Sequence, residues 1–142
     1  VDAYALSTFY HKDRGGKLRA GPVWDYNLTY GNDLFGFFGT NYDRSHTNVW
    51  QFQYSNTGAY FWRDLFYNST FKCYLSKRFN EVTQINEALN YDYISNLIDS
   101  TVTLISEAVV RENERWSTID NFSGEITNMK NWLQQRIIWM RN

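Results

Sequence analysis

The sequence predicts an α+β fold: an N-terminal β-hairpin, a long aromatic loop, and then about four helices. Three observations predict it. Two β-favouring runs flank a Gly-Gly turn, Asp13-Arg-Gly-Gly16, which is a hairpin signature. A stretch rich in Gly, Asn and aromatic residues follows. From Gly58 onward the apolar residues recur at spacings of three and four, which is the helical period.

The chain has 142 residues, enough for one domain with one core. Its net charge of −1 provides no basic field for nucleic acid. No apolar run approaches the roughly 20 residues that cross a bilayer, and the start has no signal-peptide pattern. Cys73 is the single cysteine, so no internal disulfide forms. Asn-x-Ser/Thr sequons begin at Asn27, Asn68 and Asn121, but such matches arise by chance and carry no weight. There is no starting Met, and Val1 to Leu6 run almost directly into the first strand. The chain therefore reads as a piece of something longer.

Residues 1–6 read as the tail of a helix or the lead into the hairpin, with strands over 7–13 and 17–24. Pairing across the turn places residues whose numbers sum to about 30 opposite one another. The second strand carries Lys17-Leu-Arg-Ala-Gly-Pro-Val-Trp-Asp-Tyr-Asn-Leu-Thr-Tyr-Gly-Asn32, with the only proline, Pro22. An irregular region spans 28–57 and holds Phe35, Phe37, Phe38, Tyr42, Trp50, Phe52 and Tyr54. Loops of that length are often functional. The simpler reading has the aromatics pin the loop onto the helices as an extra layer of core.

The first helix carries Tyr60, Phe61, Leu65 and Phe66 on one stripe and breaks at Asn68-Ser-Thr70. Ser69 is expected to cap the second, whose apolar positions are Phe71, Leu75, Phe79 and Val82. The longest helix spans about Tyr91 to Asn113, with Leu97, Ile98, Val102, Ile105 and Val109 as its buried face. Ser123 is expected to cap the last, which buries Ile126, Met129, Trp132, Leu133, Ile137 and Met140.

Asp25 ends the second strand beside a glycine loop, a place that suits a metal ligand and a turn cap equally. Asp2 falls at the same open end of the hairpin, offset on the order of 10 Å if the strands stay regular. A phosphate with its magnesium can bridge such a gap, because Mg²⁺ takes one or two protein carboxylates and fills its shell with phosphate oxygens and water. Two exposed loop aspartates that merely share an end are the bland alternative. His11 reads as a structural strand residue, His46 as a solvated loop residue, and Cys73 as core. No Cys/His cluster suggests zinc, and neither GxxxxGK[ST] nor GxGxxG is present. Trp62 and Trp132 lie on helices, where core packing outweighs sugar stacking.

The run Asp2-Ala-Tyr-Ala-Leu-Ser-Thr-Phe-Tyr-His-Lys-Asp-Arg14, followed by Gly15 through Asn32, closely resembles the CotH family of spore-coat-type atypical protein kinases. So do Phe61-Trp62 through Phe71, Lys77-Arg78-Phe79, Arg115-Trp116 and Trp132 through Met140. The resemblance spans the chain, and Gly-Pro-Val-Trp-Asp-(aromatic)-(Asp/Asn)-Leu is its specific core. It implies the C-terminal, catalytic lobe of a kinase-like fold over residues 1–142, with the nucleotide-gripping part upstream of Val1. It further implies transfer of the ATP γ-phosphate to Ser of a protein substrate, with Mg²⁺ or Mn²⁺ as the metal. Asp25 matches the metal-holding aspartate of the Trp-Asp motif, and Asp2 matches the catalytic-loop aspartate.

The position five residues after a kinase's catalytic Asp normally carries a metal-binding Asn. Here it is Ser7, a poorer ligand. Many family members carry a second Asp two residues after the motif aspartate, where this chain has Asn27. The implied site is thus Asp2 and Asp25 as catalytic residues, Asp25 and Asn27 on the metal, and Ser7, Asn27 and Asn32 assisting the cofactor. The isolated 142-residue piece is expected to be inactive. The alternative is a non-catalytic coat or surface protein that binds protein or glycan through its aromatic loop. An extracytoplasmic home follows from the resemblance alone.

Overall fold

The computed structural model describes residues 7–32, 45–50, 52 and 60–142. The expectations for Asp2, for residues 1–6, and for Phe35, Phe37, Phe38, Tyr42 and Tyr54 lie outside the described residues. A two-stranded antiparallel hairpin is followed by four helices, the α+β arrangement expected. The chain divides into two compact units, Val1–Tyr74 and Leu75–Asn142.

In the first unit, β1 (Tyr10–His11) pairs antiparallel with β2 (Arg19–Ala20). Tyr10 faces Ala20 and His11 faces Arg19, so the expected register holds. The turn closes where Gly16 N–H donates to Asp13 O at 2.9 Å, with Gly15 at φ +73°. That left-handed conformation has little steric cost for glycine. The strands are far shorter than 7–13 and 17–24. One further bond, Gly21 N–H to Phe9 O at 2.9 Å, extends the pairing. Gly21 then turns at φ +132° and Pro22 has no N–H to donate, so a ladder cannot continue toward Asp25. All four strand residues are exposed, so no buried face enforces a longer sheet.

Helix α1 (Tyr60–Tyr67) supplies the aromatic core of this unit. Phe66 lies 4.6 Å from Trp50, 4.7 Å from Phe52 and 5.5 Å from Phe71, ring centroid to centroid. Such pairs add about 0.5–1.5 kcal/mol each beyond their buried area. Phe52 is only 7% exposed and Trp50 is half-buried. This part of the loop is therefore pinned as core. Phe61 departs from the expected stripe. It is largely exposed, with its ring against the edge of Tyr10 at 6.0 Å.

Helix α2 (Ser69–Val82) begins in the first unit and ends in the second. Its cap is Asn68, not Ser69: Asn68 Oδ1 accepts Phe71 N–H at 3.0 Å, and Ser69 is the first helical residue. Phe71, Leu75, Phe79 and Val82 are half-buried as expected, whereas Cys73 is exposed and not core. It sits between the inward positions Phe71 and Leu75, on the turn's outer side.

In the second unit, α3 (Tyr91–Trp116) packs against α4 (Phe122–Arg141). Asn90 caps α3 by accepting Asp92 N–H at 3.0 Å and Tyr93 N–H at 3.3 Å. Ser117, in the left-handed conformation at φ 50°, ends it, with its N–H on Asn113 O at 2.8 Å. The inward stripe of α3 is narrower than expected. Ile94, Ile98, Val102 and Val109 are half-buried, but Leu97 is 57% exposed and Ile105 is exposed as well. Leu97 lies about 100° around the helix from Ile98, off the seam with α4. Asn121, not Ser123, caps α4, accepting Gly124 N–H at 3.1 Å. All six apolar positions expected on α4 are half-buried.

Two polar links close this unit. Lys130 Nζ meets Asp99 Oδ1 at 2.6 Å between α4 and α3. Thr83, 1% exposed, donates through Oγ1 to Phe79 O at 2.8 Å and accepts from Arg141 Nε at 3.0 Å. Arg141 also donates to Thr83 O through Nη2.

Candidate functional site

The stretch after β2 is a succession of turns. Asp25, Tyr30 and Gly31 have φ of 53°, 53° and 85°. Thr29 Oγ1 donates to Tyr26 O at 2.5 Å, Asn32 N–H donates to Thr29 O at 2.9 Å, and Asn32 Nδ2 donates to Asn27 O at 2.7 Å. These bonds hold residues 26–32 as one knotted loop with Asp25 at its entrance.

Asp25 is exposed, and its carboxylate has no hydrogen bond or ion pair among the described residues. A non-glycine residue in the left-handed region is uncommon, and such strain concentrates at functional sites. The alternative role of turn cap requires the carboxylate to accept a nearby N–H, which it does not do among the described residues. Before it lie Val23 and Trp24, 80% and 64% exposed.

The structure joins two of the sequence-predicted residues directly. Asn32 is a strut: its amide nitrogen is committed to Asn27 O, and this fixes Asn27 two residues beyond Asp25. The Asn27 side chain is exposed and makes no hydrogen bond among the described residues. Ser7 is buried at the start of the hairpin, 7% exposed. Asp2 lies outside the described residues. His11 is exposed, with Nδ1 a distant 3.4 Å from Gly21 O, in keeping with a structural role.

Sequence reasoning missed a tyrosine pair beside the motif. The Tyr10 phenol titrates above its ordinary value, first because partial burial disfavours the phenolate and second because Tyr26 lies close enough for its charge to add to the effect. The hairpin register finds the neighbour of Tyr10 on β2, but Tyr26 lies past Gly21, where the ladder has ended.

Among the described residues no group of three or more His, Cys, Asp or Glu gathers as a metal cage. A magnesium ion bound with a nucleotide needs no such cage, because phosphate oxygens and water complete its shell. The free carboxylate of Asp25 and the amide oxygen of Asn27 are hard oxygen donors, and they fit that demand.

Comparison with known families matches residues 1–140 to a family described as CotH kinase protein. No match was found among curated proteins or among solved structures. With the match covering nearly its whole length, the chain belongs to the CotH kinase family.

Proposed function

We propose that this chain is the catalytic-lobe part of a CotH-type protein kinase, which transfers the γ-phosphate of ATP to a serine of a protein substrate. One observation carries the proposal. In a chain of this family, the aspartate of the Trp-Asp motif is exposed, held in left-handed backbone, and without a partner among the described residues. In this reading Asp25 and Asn27 hold Mg²⁺ or Mn²⁺, which neutralises charge on the nucleotide phosphates. Asn32 keeps Asn27 in position through its backbone oxygen. Asp2 orients the acceptor hydroxyl and takes its proton, and Ser7 supports the same end of the hairpin. Positioning and charge neutralisation supply most of the rate enhancement. The residues that grip the nucleotide come from outside 1–142.

The pinning of Trp50 and Phe52 against Phe66 disfavours the alternative, in which an aromatic loop binds protein or glycan, for these two side chains. An extracytoplasmic setting belongs to the same proposal and rests on the family resemblance.

The test is a magnesium or manganese titration of the full-length protein with ATP present, with wild type beside Asp25→Ala and Asp25→Gly. We expect metal-dependent nucleotide binding in wild type and its loss in both variants. Glycine adopts φ +53° without the Cβ penalty, so Asp25→Gly leaves folding intact or firmer while removing the carboxylate. Equal metal-dependent binding in wild type and Asp25→Gly overturns the assignment of Asp25.

A further inference from the structure

The turn end of the hairpin, opposite the end that leads to Asp25, gathers charge that the proposed phosphotransfer does not use. Lys12, Arg14, Lys17 and Arg19 are all exposed, with Asp13 the only carboxylate between Lys12 and Arg19. Four cations against one anion give this short segment a local net of +3, in a chain whose total is −1. None of the four has an ion pair or a side-chain hydrogen bond among the described residues. Elsewhere the chain does pair its cations, as in Lys130–Asp99, Arg78–Glu81 and Arg111–Glu107. Leu18, between two of the hairpin's cations, is 67% exposed. The sheet has only two strands, and among the described residues no third strand covers the outer edge of β1 or β2.

We propose that this hairpin end is a docking surface for an extended acidic segment of a protein partner. Each feature selects that occupant. The cations attract carboxylates, and exposed charges of one sign steer encounter and set partner choice. The open strand edges offer main-chain hydrogen bonds to an added strand. Leu18 gives one apolar contact among the charges, which suits a peptide with alternating acidic and apolar side chains. A nucleic acid needs a wider basic field than a chain of net −1 provides. An anionic membrane would meet the same cations, but one exposed leucine gives no apolar face to insert. The open strand edges suit a peptide instead, and the vesicle arm of the test separates the two. The inference is independent of phosphotransfer, because binding is read without ATP or metal.

The test is fluorescence anisotropy on the whole chain with a short labelled peptide alternating Glu and Val. A Lys–Val peptide, duplex DNA and phosphatidylserine vesicles are the competing probes. Wild type is expected to bind the Glu–Val peptide in preference to the other three, more weakly as salt rises. The charge-reversed variant Lys12→Glu, Arg14→Glu, Lys17→Glu, Arg19→Glu is expected to bind it roughly tenfold more weakly or worse. The same four positions changed to Gln are expected to give a smaller loss in the same direction, and this variant decides the matter if the reversed hairpin fails to fold. Unchanged binding in the folded variants, or binding of any competing probe as tight as that of the Glu–Val peptide, overturns the proposal.

Discussion

Tyr10 stands between the hairpin and α1: it is a strand residue by register and meets the ring of Phe61 from the side. Its phenol is raised from the usual 10.0, and the sign of the consequence follows directly. In the unfolded chain the group ionises at its ordinary value, so the folded chain holds the proton more tightly. This contribution to stability is complete below about pH 10 and is lost as pH rises through the elevated native value. We expect a difference absorbance titration of wild type against Tyr10→Phe to show one phenolate appearing later than the bulk of the tyrosines. Stability should also fall less steeply at alkaline pH in Tyr10→Phe. A difference spectrum that rises with the bulk refutes the packing argument. At the same scale, Asp25 shows what a sequence conveys and what it withholds. Its place before a glycine loop was legible, but β2 ends at Ala20, well short of the strand end expected at Asp25. Its left-handed backbone was not legible, because aspartate tolerates that conformation without requiring it. Nor could the sequence show that Asn32 spends its amide nitrogen on Asn27 O, since that bond depends on how the intervening turns fold.

Among the elements, the helices resolve a competition that the sequence leaves open. At each of two helix starts a serine and an asparagine stand within two residues, and the asparagine is the cap: Asn68 ahead of Ser69, and Asn121 ahead of Ser123. Both residue types cap about equally well, so intrinsic preference cannot choose. The packed register of the helix chooses, by deciding where its first turn begins. Asn90 has no such rival and accepts two backbone N–H groups at the start of the longest helix. We expect Asn90→Ala to destabilise the second unit by about 1 kcal/mol, read as a lower urea midpoint with unchanged slope, and Asn90→Ser to recover most of it. An unchanged midpoint in Asn90→Ala shows that packing alone fixes this helix start. The apolar stripes of α2 and α4 were legible throughout, because side chains repeating at three and four must face one side. The strand lengths were not legible. A β-favouring run tells nothing of whether either face finds something to pack against. Here, among the described residues, the only ring contact of the four strand residues is that of Tyr10 with Phe61, while all four stay exposed.

Across the whole molecule, the two units rely on different interactions. The first gathers aromatic rings around Phe66, while the second adds polar closure to apolar seams. The link between Arg141 and Thr83 spans 58 positions of sequence, and no local pattern announces it. Thr83 is almost fully enclosed where α2 ends, and its hydroxyl both donates and accepts. Its carbonyl also depends on the Arg141 guanidinium. Truncating Arg141 leaves that enclosed carbonyl with only the long contact from Asn90 Nδ2 at 3.5 Å, and an under-satisfied buried acceptor costs about 1–3 kcal/mol. Arg141→Ala is therefore expected to lower the stability of the second unit by that amount, followed by helical circular dichroism in urea. Arg141→Lys should recover only part of the loss, since an ammonium on a flexible stem does not reproduce the guanidinium fork that reaches both Thr83 oxygens. Equal midpoints for wild type and Arg141→Ala would show that the Arg141–Thr83 link adds nothing to the closure of this unit.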